Sequence, residues 1–153
     1  MVKSSFSIID RVHVFRSPLI KTLYFLGFTL YCTRNRRGNF RVGLRTEKSR
    51  YRRSLSRFQD LVRRMIHLPI REQVINLNRV LRGHYAYYGI AGNFRALQRI
   101  YRAGECSWRK ILGRRSREGA VSWEAFHRIK ERFPLQRAKL LLPYPELQRL
   151  AVL

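Results

Sequence analysis

The chain has 153 residues, with 33 Lys+Arg against 9 Asp+Glu and a formal net charge of +24, enough length for one domain or two small ones with a real core. So one-sided a balance points to a polyanionic partner, nucleic acid before an anionic membrane surface. Two distant cysteines, Cys32 and Cys106, exclude zinc-finger modules, and no run approaches the roughly 20 apolar residues of a membrane helix.

Residues 1–22 are not a signal peptide by pattern, because Asp10, Arg11, His13 and Arg16 interrupt any apolar stretch. Residues 23–46 read as a β-hairpin. LYFLGFTLYC is the first strand, RNRRGN the turn, with Asn35, Gly38 and Asn39 suited to positive φ, and FRVGL the returning strand. Gly27 and Gly43 suggest bulges or close backbone approach. Residues 47–67 read as a helix with Thr46 as N-cap and Glu47 at the positive end of the dipole. Tyr51, Leu55, Phe58, Leu61, Val62 and Met65 recur along it at helical spacing.

Pro69 separates this helix from a second over about 70–88, whose stripe is Val74, Leu77, Leu81, Tyr85 and Tyr88. Gly89 and Gly92 end it, and Asn93 is placed to cap a third helix running to about 113. Phe94, Leu97, Tyr101, Trp108, Ile111 and Leu112 line one side of that helix. Gly104 occupies an apolar position between Tyr101 and Trp108. A helical glycine costs about 1 kcal/mol relative to Ala, so Gly104→Val is expected to stabilise. Residues 113–121 read as a charged loop. SWEAFHRIKERF reads as a fourth helix from a Ser122 cap to Pro134, and the tail, with three prolines, as extended at first. The expected fold is mainly α: an N-terminal β-hairpin, a three-helix bundle and a short C-terminal helix.

The charge is concentrated on the helices. From Arg45 to Arg64 there are eight basic residues and two acids; from Arg95 to Arg117 there are eight and one. A solvated helix face mixes signs to gain i,i+4 pairs; these do not, which makes sense where phosphates neutralise them. The candidate nucleic-acid contacts are Arg36 and Arg37 at the hairpin tip and Arg50, Arg53 and Arg57 on the first helix. Further along are Arg79 and Arg82 on the second helix and Arg95, Arg99, Arg109 and Lys110 on the third. Tyr85 and Tyr88 fall on the apolar stripe and are expected in the core. Tyr87 falls off it, as a surface aromatic able to stack on a base. The only aspartates are Asp10 and Asp60, and His13, His67, His84 and His127 are scattered. No paired-carboxylate metal site or nucleophile triad can be assembled from these. The expectation is no catalytic residue, no metal and no cofactor.

FLGFTLYC, LRGHYAYYGIAGNFRAL, SWRKIL and VSWEAFHRIKERFP together resemble the C-terminal part of bacterial group II intron-encoded reverse transcriptase/maturases. The resemblance implies that residues 23–46 are the end of a polymerase core and 47–117 a thumb, or maturase-specific domain X. Residues 118–153 are then a C-terminal helix and proline-containing tail near the DNA-binding part, and 1–22 are unmatched. The fingers and palm, with their metal-binding aspartates, have no counterpart. The implied function is that of a truncated reverse transcriptase: an RNA-binding, maturase-type domain that assists group II intron folding and splicing without being an enzyme. Its expected partner is structured RNA, or DNA, in the cytoplasm and not at a membrane. The alternatives are the C-terminal half of a split reverse transcriptase, completed by a separately encoded palm/fingers polypeptide, and an unrelated basic RNA-binding protein of ribosomal type.

Overall fold

The computed structural model describes residues 22–35, 37–115 and 119–151. Three antiparallel strands, β1 (Thr22–Phe25), β2 (Phe28–Arg34) and β3 (Phe40–Thr46), form a sheet in that order. Five helices follow: α1 (Lys48–Arg64), α2 (Ile70–Tyr88), α3 (Phe94–Arg115), α4 (Trp123–Arg132) and α5 (Tyr144–Ala151). The protein is thus mainly α behind a small N-terminal sheet.

The expected hairpin is β2–β3, closed by a tip in which the Asn35 side chain accepts from the Arg37 and Asn39 N–H groups. LYFLGFTLYC is not one strand. Leu26 and Gly27 both take positive φ, 48° and 78°, and fold β1 back on β2 with Phe25 opposite Phe28. Two-residue turns of that hand match the twist of their strands, so Gly27 is a turn residue and not a bulge. Gly43 is a site of close approach: the ring of Tyr31, its cross-strand partner, lies where a Cβ would stand.

Helical periodicity set the core correctly. Phe58, Val62 and Met65 of α1, Val74, Leu77, Leu81 and Tyr85 of α2, and Leu97, Trp108, Ile111 and Leu112 of α3 are all buried together. Ile100 joins them, while Phe94 stays exposed. α3 packs most closely on α1, and the reason is Gly104. A Cβ there would stand 2.7 Å from Cε1 of Phe58, a ring that is itself only 2% exposed. The glycine is a socket and not a defect, which overturns the expected gain from Gly104→Val.

Two further features depart from the expected bundle. Thr46 ends β3 and does not cap α1; Glu47 holds the N-cap position without a side-chain cap bond. α4 is integral to the core: Phe126 is fully buried, edge-on to Trp108 at 5.3 Å. Its N-terminus is capped as expected, Ser122 Oγ accepting from the Ala125 N–H. The extended segment after Pro134 is then tied to α2. Asn78 Nδ2 donates to the Pro134 carbonyl, the Gln136 N–H donates to Asn78 Oδ1, and Tyr85 Oη donates to the Gln136 carbonyl. Gly89 O accepts from Leu141 and Leu142, and α5 follows, a helix the prolines had concealed.

Candidate nucleic-acid interface

The cationic side chains gather where helices meet. α1 carries an apolar stripe on one side and seven basic residues, Lys48, Arg50, Arg52, Arg53, Arg57, Arg63 and Arg64, around the rest, so its basic residues fall on both flanks of the stripe. One flank, with Arg57 and Arg64, lines a cleft of about 520 Å³ against α2, together with Asp60, Val80 and His84. The other flank, with Lys48 and Arg52, lines a cleft of about 460 Å³. Arg45 from β3 and Arg95 and Arg99 from α3 line that same cleft.

A buried polar knot aligns the elements around the second cleft. Asn93 is 1% exposed. Its Oδ1 accepts from the Thr46 N–H at 2.9 Å and is within 3.1 Å of Thr46 Oγ1. Its Nδ2 donates to Thr46 Oγ1 and to the Tyr88 carbonyl, while its own carbonyl receives the Ala96 N–H. Asn93 was expected as an ordinary helix cap. Its side chain instead joins the end of β3, the end of α2 and the start of α3, because Gly92, at φ 92°, turns the chain back towards the sheet.

Of the expected contact residues, Arg95 and Arg99 share this cleft and Arg57 lies in the other. Arg53, Arg79, Arg82 and Lys110 are exposed on their helices, Arg37 is exposed at the hairpin tip, and Arg36 lies outside the described residues. Arg50 is exposed as well, but its stem runs beside the Leu26–Gly27 turn. Arg109 is taken up by the fold: its guanidinium donates to the Val121 carbonyl and lies 4.3 Å from the Trp123 ring centroid. Arg45, Lys48 and Arg52 were missed. Their signal was the +6 run of residues 45–64 taken whole; which flank each occupies depends on the Thr46–Asn93 contact, 47 residues apart in sequence.

The tyrosines divide as expected, with one refinement. Tyr85 is buried and Tyr88 half-buried; burial first of all, with Tyr101 and Glu105 adding, raises the Tyr85 phenol well above its ordinary value. Tyr87 is 52% exposed, yet it is anchored. Its hydroxyl donates to the Leu26 carbonyl at 2.8 Å, and its ring stacks on Phe28 at 5.9 Å. It clamps α2 over the β1–β2 turn and leaves one face to solvent. His84 leans on Tyr88 at 4.7 Å with its Nε2 buried and unpaired, and burial lowers its pKa to about 4.

Among the described residues no cluster of three metal-ligating side chains occurs, and no helix is long and apolar enough to cross a membrane. The chain matches no family model, no curated protein and no solved structure.

Proposed function

We propose that the protein is an RNA-binding, maturase-type thumb domain: a module of reverse transcriptase type that helps a group II intron RNA reach its folded, splicing-competent form. These 153 residues supply no polymerase site on this reading, and the proposed setting is the cytoplasm. The observation that carries this is the set of clefts lined by arginines with few acids to balance them. Only three ion pairs occur among the described residues, Arg63–Asp60, Arg128–Glu124 and Lys130–Glu105, and the sequence as a whole holds 33 basic residues to 9 acids. RNA helices repel one another through their phosphates, and a rigid body studded with guanidinium groups lets them approach. With two aspartates in the whole chain, the chemistry belongs to the RNA. The test is splicing of a group II intron RNA at sub-saturating Mg²⁺. The purified chain is expected to accelerate it and to bind the folded RNA more tightly than an unstructured RNA of equal length. Equal binding to both, with no acceleration, overturns the proposal.

A second reading is favoured by the sheet. Leu23, Phe25, Phe40 and Val42 are exposed and share the face defined by the Leu23–Leu30–Leu44 and Cys32–Val42 pairings. Leu26 holds a positive φ while 66% exposed. A non-glycine residue in that region costs roughly 1 kcal/mol or more, which is tolerable where the side chain meets a partner. A separately encoded palm/fingers polypeptide would cover this face. On that reading the chain mixed with such a polypeptide elutes as one complex and extends a primer, and Phe25→Ser with Phe40→Ser dissociates it. Separate elution of the two at micromolar concentration removes this reading.

A further inference from the structure

The cleft between β3, α1 and α3 gathers more cations than the other basic clefts: five, against three in the cleft of Arg109, Lys110 and Arg114 at the end of α3. Five cationic side chains from three elements line it: Arg45, Lys48, Arg52, Arg95 and Arg99. No carboxylate lines it, and among the described residues none of the five forms an ion pair. The α1–α2 cleft, by contrast, includes Asp60. Like charges gathered around a concavity repel one another more than the same charges spread over a convex surface, and an anion seated among them reverses the sign of the interaction.

The arrangement is built. The Asn93–Thr46 knot is buried and fully hydrogen-bonded, so the first turn of α3 is held against the end of β3. Residues at the starts of both α1 and α3 line the cleft, and their helix dipoles add positive potential to that of the side chains. The Arg45 guanidinium lies 5.2 Å from the Tyr31 ring centroid, and Tyr31 is held over Gly43. With a volume of about 460 Å³, the cleft falls in the range of small-molecule pockets, about 300–1,000 Å³, and has room for more than one phosphate.

We propose that this cleft binds clustered phosphates of RNA: two or more phosphate groups brought closer together than along an extended strand. Such a group is offered by a sharp turn of a folded RNA backbone or by a 5′-triphosphate end. The assignment rests on the RNA-binding function proposed above and names its densest anion site. A single diester would leave most of the five cations unneutralised, whereas a compact polyanion satisfies the set.

The experiment uses the full chain and inorganic tripolyphosphate as probe, read by titration calorimetry and by the melting temperature. Arg45→Gln/Arg95→Gln/Arg99→Gln is compared with Arg71→Gln/Arg128→Gln/Lys139→Gln, which removes equal charge outside the cleft. Tripolyphosphate is expected to bind the first variant at least tenfold more weakly than the wild type and the second within about twofold. Should the triple variant fail to fold, Arg95→Gln and Arg99→Gln singly must each weaken binding by severalfold. Equal affinity in cleft and control variants overturns the inference. Two RNA arms identify the source of the phosphates. Competition by a 5′-triphosphorylated single strand, lost with a 5′-hydroxyl, assigns the cleft to an RNA end. Competition by folded RNA irrespective of its end assigns it to a backbone turn. If the wild type binds folded RNA but the cleft variant binds it equally well, the inference falls and the proposed function stands. If the wild type binds no RNA while tripolyphosphate binding still depends on the cleft, the proposed function falls and the polyphosphate site stands.

Discussion

Gly104 shows how a single residue can carry opposite meanings at two levels. Judged by helix propensity it is a defect of about 1 kcal/mol; judged by packing it is the space that Phe58 fills. Overpacking a tight core costs about 1–3 kcal/mol, and Phe58 is itself only 2% exposed. Packing therefore outweighs propensity. Gly104→Val is expected to lower stability by about 2–3 kcal/mol and Gly104→Ala by about 1 kcal/mol, net of its propensity gain. Urea denaturation measures both, and adding Phe58→Leu should return part of the loss. A stabilised Gly104→Val would mean that the ring moves freely aside. His84 offers a second test at this scale. Its folded pKa of about 4 lies below the ordinary 6.5 because burial disfavours the imidazolium. Between pH 6.5 and 4 the unfolded chain takes up a proton that the folded chain refuses, so stability falls across that window as pH falls. Arg57, Asp60 and Arg64 line the same cleft, and Tyr85 and Tyr88 flank the ring. Allowing for partial solvent contact, the loss is about 2 kcal/mol, and His84→Phe should flatten the stability profile over that window.

Among the elements, the α1–α2 connection is held by a residue that no pattern singled out. Gln73 is 1% exposed. Its Nε2 donates to the carbonyls of Met65 and Leu68, and its Oε1 accepts from Trp108 Nε1 at 2.8 Å. One amide thus fixes the end of α1, the turn after it and the middle of α3. Gln73→Leu leaves the Trp108 indole N–H unpaired in the core, while the Met65 and Leu68 carbonyls keep the Leu68 N–H and the Arg115 guanidinium as donors, for a loss of about 2 kcal/mol. Adding Trp108→Phe, which removes the orphaned donor, should cost less than the sum of the two changes in a double-mutant cycle. Additive losses would place the Trp108 bond outside the coupling. The helices themselves were legible because their apolar residues repeat every three or four positions, and α2 and α4 begin and end where Pro69, Gly89, Ser122 and Pro134 suggested. The turn at Leu26–Gly27 was not, because Leu is a poor turn former and FLGF continues an apolar run. α5 was hidden by Pro143 and Pro145. The basic character of the site was plain from composition. Its division into separate clefts was not, since basic residues flank the apolar stripe of α1 on both sides and only the long-range Asn93–Thr46 contact decides which of them face Arg95 and Arg99.

For the molecule as a whole, charge and fold are coupled. A net charge of +24 repels itself in the compact state, and a polyanion that binds only the folded form adds stability by mass action, about 2.7 kcal/mol at one hundred times its dissociation constant. For a domain of this size that corresponds to a rise of about 5–10 °C in melting temperature, expected with folded RNA or heparin and absent with a neutral polymer. The same charges set the salt dependence of binding. Each phosphate neutralised contributes a slope of about −0.9 to log K against log salt on duplex DNA and about −0.7 on single strands. Changing Arg50, Arg53 and Arg57 together to Gln should flatten the slope on folded RNA by about two to three units and weaken all RNAs alike, because phosphate contacts position without reading sequence. Arg50 tempers this: its stem lies along the Gly27 turn, so the triple variant should also melt a few degrees lower, with helicity retained. Tyr87→Ala separates packing from stacking. Its hydroxyl holds the Leu26 carbonyl, so stability should fall; if the exposed ring face also stacks on RNA, affinity falls by a further 1–3 kcal/mol, about the contribution of one stacked base, at temperatures where the variant is fully folded. A triple arginine variant that keeps the wild-type slope would remove the exposed flank of α1 from the interface, and leave the cleft between β3, α1 and α3 and the exposed cations of the hairpin tip, α2 and α3 to account for the binding.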